Sequence, residues 1–247
     1  MTQTFESSCY GGNDYRNYNK QIRKVSGLMI FVTFFFISCV DSKKRNHEIS
    51  TDDNTQIQIG GQVWMAKNLD LAIFRNGDSI PQVKSNDEWE EAGKEGKPAW
   101  CYYENDTKIG RRYGRMYNWY AVNDPRGLCP KGGHIPTNDE WIILENFVGS
   151  SKAGLQLKSS TGWNNTGNGN KNSGFSAMPG GYRDRNGNFT GAGEFTYLSG
   201  ITQDTLPNLK GDERFFIWGR GLHSADSTIM RCGLNKKFGL YVRCIKD

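Results

Sequence analysis

Three histidines, six cysteines and scattered carboxylates are the residues of this 247-residue chain best suited to chemistry, and their spacing excludes most of it. His47 lies in a polar stretch, His134 just ahead of a helix start, and His223 among Gly221, Leu222 and Ser224. No Ser/His/Asp set and no His-x-x-x-His pair is legible, so His134 and His223 read as surface or packed residues. Glu140 stands three residues after Thr137 in a capping box, where the threonine hydroxyl accepts from an early helix N–H and the carboxylate reaches back to the cap N–H. That role accounts for Glu140 without an acid–base function. Asp184, Asn186 and Asn188 imitate the start of a calcium loop, but Gly is missing at the sixth place and Phe195 stands at the twelfth instead of a bidentate Glu. Asn186-Gly187 reads instead as a hairpin turn. No Cys-x-x-Cys pair supports a zinc site. The expectation is a non-enzymatic chain with no catalytic residue, metal or cofactor.

The cysteines are more informative. Residues 27–37 form the one strongly apolar run; it follows Lys20, Arg23 and Lys24 and ends on Ser38-Cys39. Eleven residues are too few to cross a bilayer, which takes about 20, and the order of cations, apolar core and polar continuation is that of a signal peptide. Phe36-Ile37-Ser38-Cys39 looks like a lipobox, the signal after which bacteria attach a lipid to the cysteine sulfur and cut before it. Residues 1–38 are thus expected to be a signal peptide, with Cys39 the lipid-attachment site and the membrane the partner. Residues 1–20, which include Cys9, Tyr10, Tyr15 and Tyr18, resemble neither a targeting segment nor a packed unit. A start placed too far upstream and an unusually long leader both account for them.

Cys101, Cys129, Cys232 and Cys244 remain. In an oxidising compartment an even set is usually paired, and four cysteines allow three connectivities between which spacing does not choose.

Four of the 31 bases and two of the 26 acids precede Cys39, which leaves 27 against 24 and a net +3 for the rest. No clustered basic excess marks a nucleic-acid binder; Arg111, Arg112 and Arg115 read as a solvated face. Thirty glycines, seven tryptophans and eleven tyrosines describe long turns anchored by large aromatic side chains.

The elements that must position these residues follow in order. Residues 39–55 are polar and aperiodic, a tether of about 16 residues that reaches up to about 50 Å when extended. Residues 56–247 read as one domain of about 190 residues. It should open on two short strands about Gly60-Gly61, continue with a polar helix over residues 85–96 carrying Trp89, and then a strand over 98–103. The Thr137 capping box starts a helix whose Trp141, Leu144 and Val148 fall on one face, with Ile142 and Phe147 alongside. Later segments are β and turn: the Asn186-Gly187 hairpin, strands over 213–218 and 227–232, and a closing run over 238–245. The class is α+β, with helices early and most of the sheet late.

Tyr113-Gly-Arg-Met-Tyr-Asn-Trp-Tyr-Ala121, Leu128-Cys-Pro, Ile135-Pro-Thr-Asn-Asp-Glu-Trp141, Gly174-Phe-Ser-Ala-Met-Pro-Gly-Gly-Tyr-Arg183 and Gly239-Leu-Tyr-Val-Arg-Cys-Ile245 resemble the Fibrobacter succinogenes major paralogous domain. That family is found largely in lipoproteins of Bacteroidetes and Fibrobacteres, which implies the cell envelope, the outer membrane and surface exposure. More distantly, Ala121, Cys129, Gly133, Ile135, Glu140 and Val242-Arg-Cys244 are similar to the C-type lectin-like fold, shared by lectin domains and formylglycine-generating enzymes. This implies a mostly antiparallel twisted sheet with long loops, and a Cys129–Cys244 disulfide; Cys101 with Cys232 is then the remaining pair. The chain departs from the family at His134, where tryptophan is usual, and at Phe216-Ile-Trp218-Gly-Arg220, where a Trp-Trp-Ser-Ser-Thr-like strand is usual. The reactive cysteine pair of the formylglycine enzymes and the calcium ligands of the lectins have no counterpart here.

What the resemblance and the loops together imply is recognition or adhesion toward a glycan or protein. The loop over residues 159–171, with Trp163, Asn164 and Asn165, supplies amides around an aromatic plane and is the first candidate surface; a solvated loop with Trp163 packed inward is the alternative. Trp218 and Arg220 are the second. The alternative is a structural component of an envelope or fimbria-like assembly.

Overall fold

A computed structural model describes residues 7–10 and 56–247, apart from residue 171 and residues 206–214. Cys39, the tether and the apolar run lie outside the described residues. Among the described residues no helix is long and apolar enough to cross a membrane.

The strands are β1 (Ser7–Tyr10), β2 (Gln56–Ile59), β3 (Gln62–Met65), β4 (Trp100–Cys101), β5 (Met116–Tyr117), β6 (Gly133–His134), β7 (Gly180–Arg183), β8 (Phe189–Ala192), β9 (Phe195–Leu198), β10 (Gln203–Thr205), β11 (Phe215–His223), β12 (Met230–Asn235), β13 (Leu240–Tyr241) and β14 (Ile245–Lys246). Among the described residues the α-helices are α1 (Asn86–Lys94), α2 (Thr107–Tyr113), α3 (Trp119–Val122), α4 (Asn138–Val148) and α5 (Ala153–Leu157). One sheet runs β1-β12-β11-β9-β13-β5-β4, with β10 on β11 and the β7–β8 hairpin on β9; a smaller sheet runs β2-β3-β14-β6. Pairing is antiparallel except where β13 and β7 meet β9. The chain is α+β with a mostly antiparallel sheet.

Local chemistry explains the elements that sequence pattern identifies. Thr137 Oγ1 accepts from the Glu140 N–H at 3.2 Å while the Glu140 carboxylate accepts from the Thr137 N–H at 2.8 Å, so α4 starts on a complete capping box. Ser85 and Glu88 close the same box on α1. Between β7 and β8, Asp184 Oδ1 accepts from the Asn186 and Asn188 N–H groups, and Gly187 takes φ 89°, the left-handed conformation the turn requires. Asn186 keeps a negative φ, so the turn is an Asx-closed loop with one left-handed residue. The strand expected over 98–103 shrinks to two residues because Tyr103–Asn105 turns away as a 3-10 helix. The closing run is likewise split into β13 and β14.

The core is aromatic. Trp64, Trp141 and Phe175 are fully buried, with Trp64 4.8 Å from Trp141 and 5.7 Å from Phe175, centroid to centroid. Helix α4 buries Trp141 and Leu144 against them, whereas Phe147, expected alongside, is 64% exposed. Cys129 and Cys244 are disulfide-bonded across 115 residues, which ties β14 to the loop before β6.

The second expected disulfide is corrected. Cys232 bonds Cys9, and Cys101 is a buried free thiol on β4. The physical reason is register: β1 lies antiparallel at the edge of the large sheet with Cys9 directly opposite Cys232. The segment expected to resemble no packed unit therefore contributes an edge strand at Ser7–Tyr10.

Candidate functional site: a tyrosine-lined cleft on helix α2

Of the five candidate ligand residues, three are packed inside. Trp163 is 5% exposed; its Nε1 donates to Ser159 Oγ and to the Ala177 carbonyl, each at 3.1 Å, and the Lys158 ammonium lies 5.3 Å from its ring. Lys158 is itself buried and donates to the carbonyls of His223 and Asp226, so the chain entering the candidate loop is tied to the β11–β12 turn. Burial pushes the Lys158 pKa down, against the pull of Asp226. Trp218 is buried under the Arg231 guanidinium at 3.7 Å and donates from Nε1 to Asp204. Arg220 is fully buried, with Nε bonded to the Glu145 carboxylate. A packed ring or a buried guanidinium offers a ligand no face, which corrects the reading of these three as contact residues. Asn164 and Asn165 are exposed as expected.

The concavity beside those two asparagines is built from another segment. A cleft of about 600 Å³ is lined by Tyr103, Glu104, Lys108, Ile109, Arg112, Tyr113 and Ala192. Asp106 caps α2 by accepting from the Lys108 N–H at 2.6 Å. Helix periodicity then sets Lys108 above Arg112 and Ile109 above Tyr113. Gly110 lets the helix sit on Tyr102: a Cβ there would stand 2.1 Å from the ring. Glu104 and Asn105 both adopt left-handed backbone, at φ 51° and 56°, where the chain reverses into the helix.

Two contacts join this cleft to the asparagine loop. The Asn164 N–H donates to the Gly193 carbonyl at 2.8 Å, next to Ala192 in the cleft wall, and a Cβ on Gly162 would stand 3.1 Å from the Arg112 guanidinium. Asn165 and Thr166 also take left-handed backbone, at φ 50° and 60°. Tyr103 packs on Phe189 at 5.4 Å; burial raises its phenol pKa, against a backbone hydrogen bond from Ala192. Arg112 lies 5.3 Å from the centroid of the Tyr113 ring. Neither Lys108 nor Arg112 forms an ion pair with a described residue. The cleft therefore offers the half-buried Tyr113 ring, one carboxylate and two cations on a frame braced by buried Tyr103, chemistry suited to holding a polar ligand.

Among the described residues, the two histidines and the free cysteine have these surroundings. His134 Nε2 meets Glu140 and Nδ1 meets Asp247, each at 2.7 Å. His223 Nδ1 accepts from the Ala225 N–H, and its ring packs on Phe195 at 4.3 Å. Burial pushes the Cys101 thiol up to about 12, only partly offset by Arg183, so it carries no thiolate near neutrality. Among the described residues no group of three or more His, Cys, Asp or Glu side chains is placed to hold a metal ion.

The cleft residues were missed in sequence, where Arg111, Arg112 and Arg115 read as one solvated face. Arg112 lies in the cleft, while Arg115 packs over Trp100 at 4.1 Å and pairs with Asp70. The one available signal was the Lys108/Arg112 and Ile109/Tyr113 spacing after a capping Asp106.

No curated protein and no solved structure matches the chain. The Fibrobacter succinogenes major domain matches residues 57–246, which begin at β2 and end in β14 and so take in the cleft, the core and the Cys129–Cys244 bridge. The chain belongs to the Fibrobacter succinogenes major domain family.

Proposed function

We propose that the chain is a cell-envelope lipoprotein whose domain is a non-enzymatic recognition or adhesion module, binding an oligosaccharide in the tyrosine-lined cleft. The observation that carries this is the cleft itself: the half-buried Tyr113 ring beside exposed Glu104, Lys108 and Arg112, next to the loop that exposes Asn164 and Asn165. Sugars present apolar CH faces to aromatic rings and hydroxyls to charged or amide groups, and the cleft supplies both. A C-type lectin-like arrangement is part of the proposal, supported by the bridge between the closing strand and the loop before β6. Export and a lipid on Cys39, with the domain on the outer membrane or the cell surface, are supported by the apolar run ending on Ser38-Cys39 and by the Cys129–Cys244 disulfide, which is characteristic of oxidising compartments.

The test is a glycan and cell-surface binding screen with the chain and with a Lys108→Ala/Arg112→Ala variant. Reproducible glycan signals that the variant loses are expected. Signals that survive the variant, or none across the screen, would refute the cleft reading.

One observation favours structural assembly as a second reading. Cleavage before Cys39 takes β1 out of the chain, leaving β12 as an edge with Cys232 unpaired. An open edge can accept a strand from another molecule. Recovery of the mature protein in a large envelope complex linked through Cys232 would favour this reading over recognition.

A further inference from the structure

A second concavity, of about 310 Å³, shares no lining residue with the tyrosine cleft. Val63, Met65, Leu71 and Pro130 stand half-buried in it, with Leu69 and Ile245 behind them. Its walls are held by backbone: the Met65 N–H donates to the Cys244 carbonyl at 3.0 Å and the Leu69 N–H to that of Val242 at 2.8 Å. The apolar slot is thus preformed, as small-molecule sites usually are, and lies at the lower end of their range of roughly 300–1,000 Å³.

The lining charges without an ion-pair partner among the described residues are cationic. Lys67, Lys131 and Lys246 line it, all exposed, and none forms an ion pair with a described residue. The lining acid, Asp70, is taken up by Arg115 and by the Tyr102 hydroxyl, and neighbouring Asp247 is bonded to His134. The lining amide of Asn68 is spent on the Tyr113 carbonyl and on Arg243. A preformed apolar slot with three uncompensated ammonium groups is complementary to one kind of molecule, an alkyl chain ending in an anion.

We propose that this slot binds a monomeric single-chain anionic amphiphile, its alkyl chain along Val63, Met65 and Leu71 and its carboxylate or phosphate head at the lysines. The site is independent of the tyrosine cleft and of what that cleft recognises. A slot of this volume accommodates one alkyl chain rather than the two of a bilayer phospholipid.

Titration calorimetry of the full chain with saturated fatty acids from octanoate to tetradecanoate, below their micellar concentrations, tests the proposal. Affinity should rise about fourfold per added methylene and then level off once the slot is full. Decanoate should bind about tenfold tighter than decanol, and a Lys67→Gln/Lys131→Gln/Lys246→Gln variant, altered only at exposed positions, should erase that gap while keeping the chain-length slope. Absence of binding below the micellar concentration would overturn the proposal. So would equal affinity for acid and alcohol, or an acid preference unchanged by the triple variant. Sedimentation with phosphatidylglycerol vesicles, in the absence of monomer binding, would instead assign the face to a membrane surface and overturn it. Binding that appears only after residues 40–55 are removed would mean that the chain covers its own slot, and would also overturn it.

Discussion

Replacing Glu145 by alanine should be among the most damaging single changes in the domain, although Glu145 lines neither concavity. Its partner Arg220 projects from β11 with a side chain 0% exposed, and the Glu145 side chain on α4 is 6% exposed. The guanidinium Nε is bonded to the carboxylate, and Nη1 donates to the Gly219 carbonyl at 3.2 Å. Removing the carboxylate takes the bonded anion away from a buried guanidinium that keeps its bonds to the Gly219 carbonyl and the Asn138 amide oxygen, and breaking such a pair costs about 3–5 kcal/mol. That is a large fraction of the 5–15 kcal/mol expected for a domain. At about 2–4 °C per kcal/mol, the midpoint of thermal unfolding should fall by roughly 6–20 °C. The converse carries the argument further: Glu145→Leu with Arg220→Met removes both charges and should restore most of the loss, because a buried pair is close to neutral against apolar residues of similar volume. Urea unfolding of the four corners of the cycle, with the denaturant slope checked for two-state behaviour, reads the coupling directly. A Glu145→Ala cost below about 1 kcal/mol would place the pair in the range of solvated surface bridges and refute the claim that Arg220 is structural.

Three further outcomes follow from the packing. His134 is raised above its ordinary 6.5 because hydrogen bonds to Asp247 and Glu140 outweigh the opposing effect of burial, and Glu140 is lowered below 4.5 because bonds to Thr137 and His134 outweigh its burial. The histidine contribution is then full below pH 6.5 and lost as pH rises through the folded value; the Glu140 contribution is full above pH 4.5 and lost as pH falls through its own. Wild type should exceed His134→Gln in stability by about 1 kcal/mol or less between those limits, the histidine being 39% exposed, with the gap closing as pH rises above 6.5 and through the folded value; a flat difference across pH would contradict the contact. Replacing Cys129 and Cys244 by serine should cost about 2–5 kcal/mol in chemical denaturation, and a negligible change would mean that the bridge constrains little. Cys101 should resist alkylation at pH 8 in the native protein and react on unfolding, whereas rapid native labelling would mean that β4 opens readily.

Legibility in the sequence tracked the range of the interaction. The Thr137/Glu140 box and the Asn186-Gly187 turn are settled within a few residues, so pattern alone located them. The Cys129–Cys244 bridge came through resemblance and agrees with the structure. Cys232 did not, because its partner is set by the register of an edge strand 223 residues away. Trp163, among glycines and asparagines, reads either as a ligand face or as a ring packed inward, and the structure takes the second, with the ring buried beside Lys158. Arg220 looks like a contact residue until Glu145, 75 residues upstream, is seen to meet it in the core. The cleft was hidden for the same reason: Tyr103 and Tyr113 are brought beside Ala192 only by the fold.

The recognition proposal is tested most directly by the affinity of the chain for a glycan from the screen, compared among wild type, Tyr113→Phe, Tyr113→Ala and Lys108→Ala/Arg112→Ala. Stacking on the ring and contact with the cations predict that Tyr113→Phe binds as wild type, while the other two weaken binding at least about tenfold, the exposed Lys108→Ala/Arg112→Ala pair with little change in thermal stability. Affinities unchanged in all three variants would contradict the assignment of recognition to this cleft.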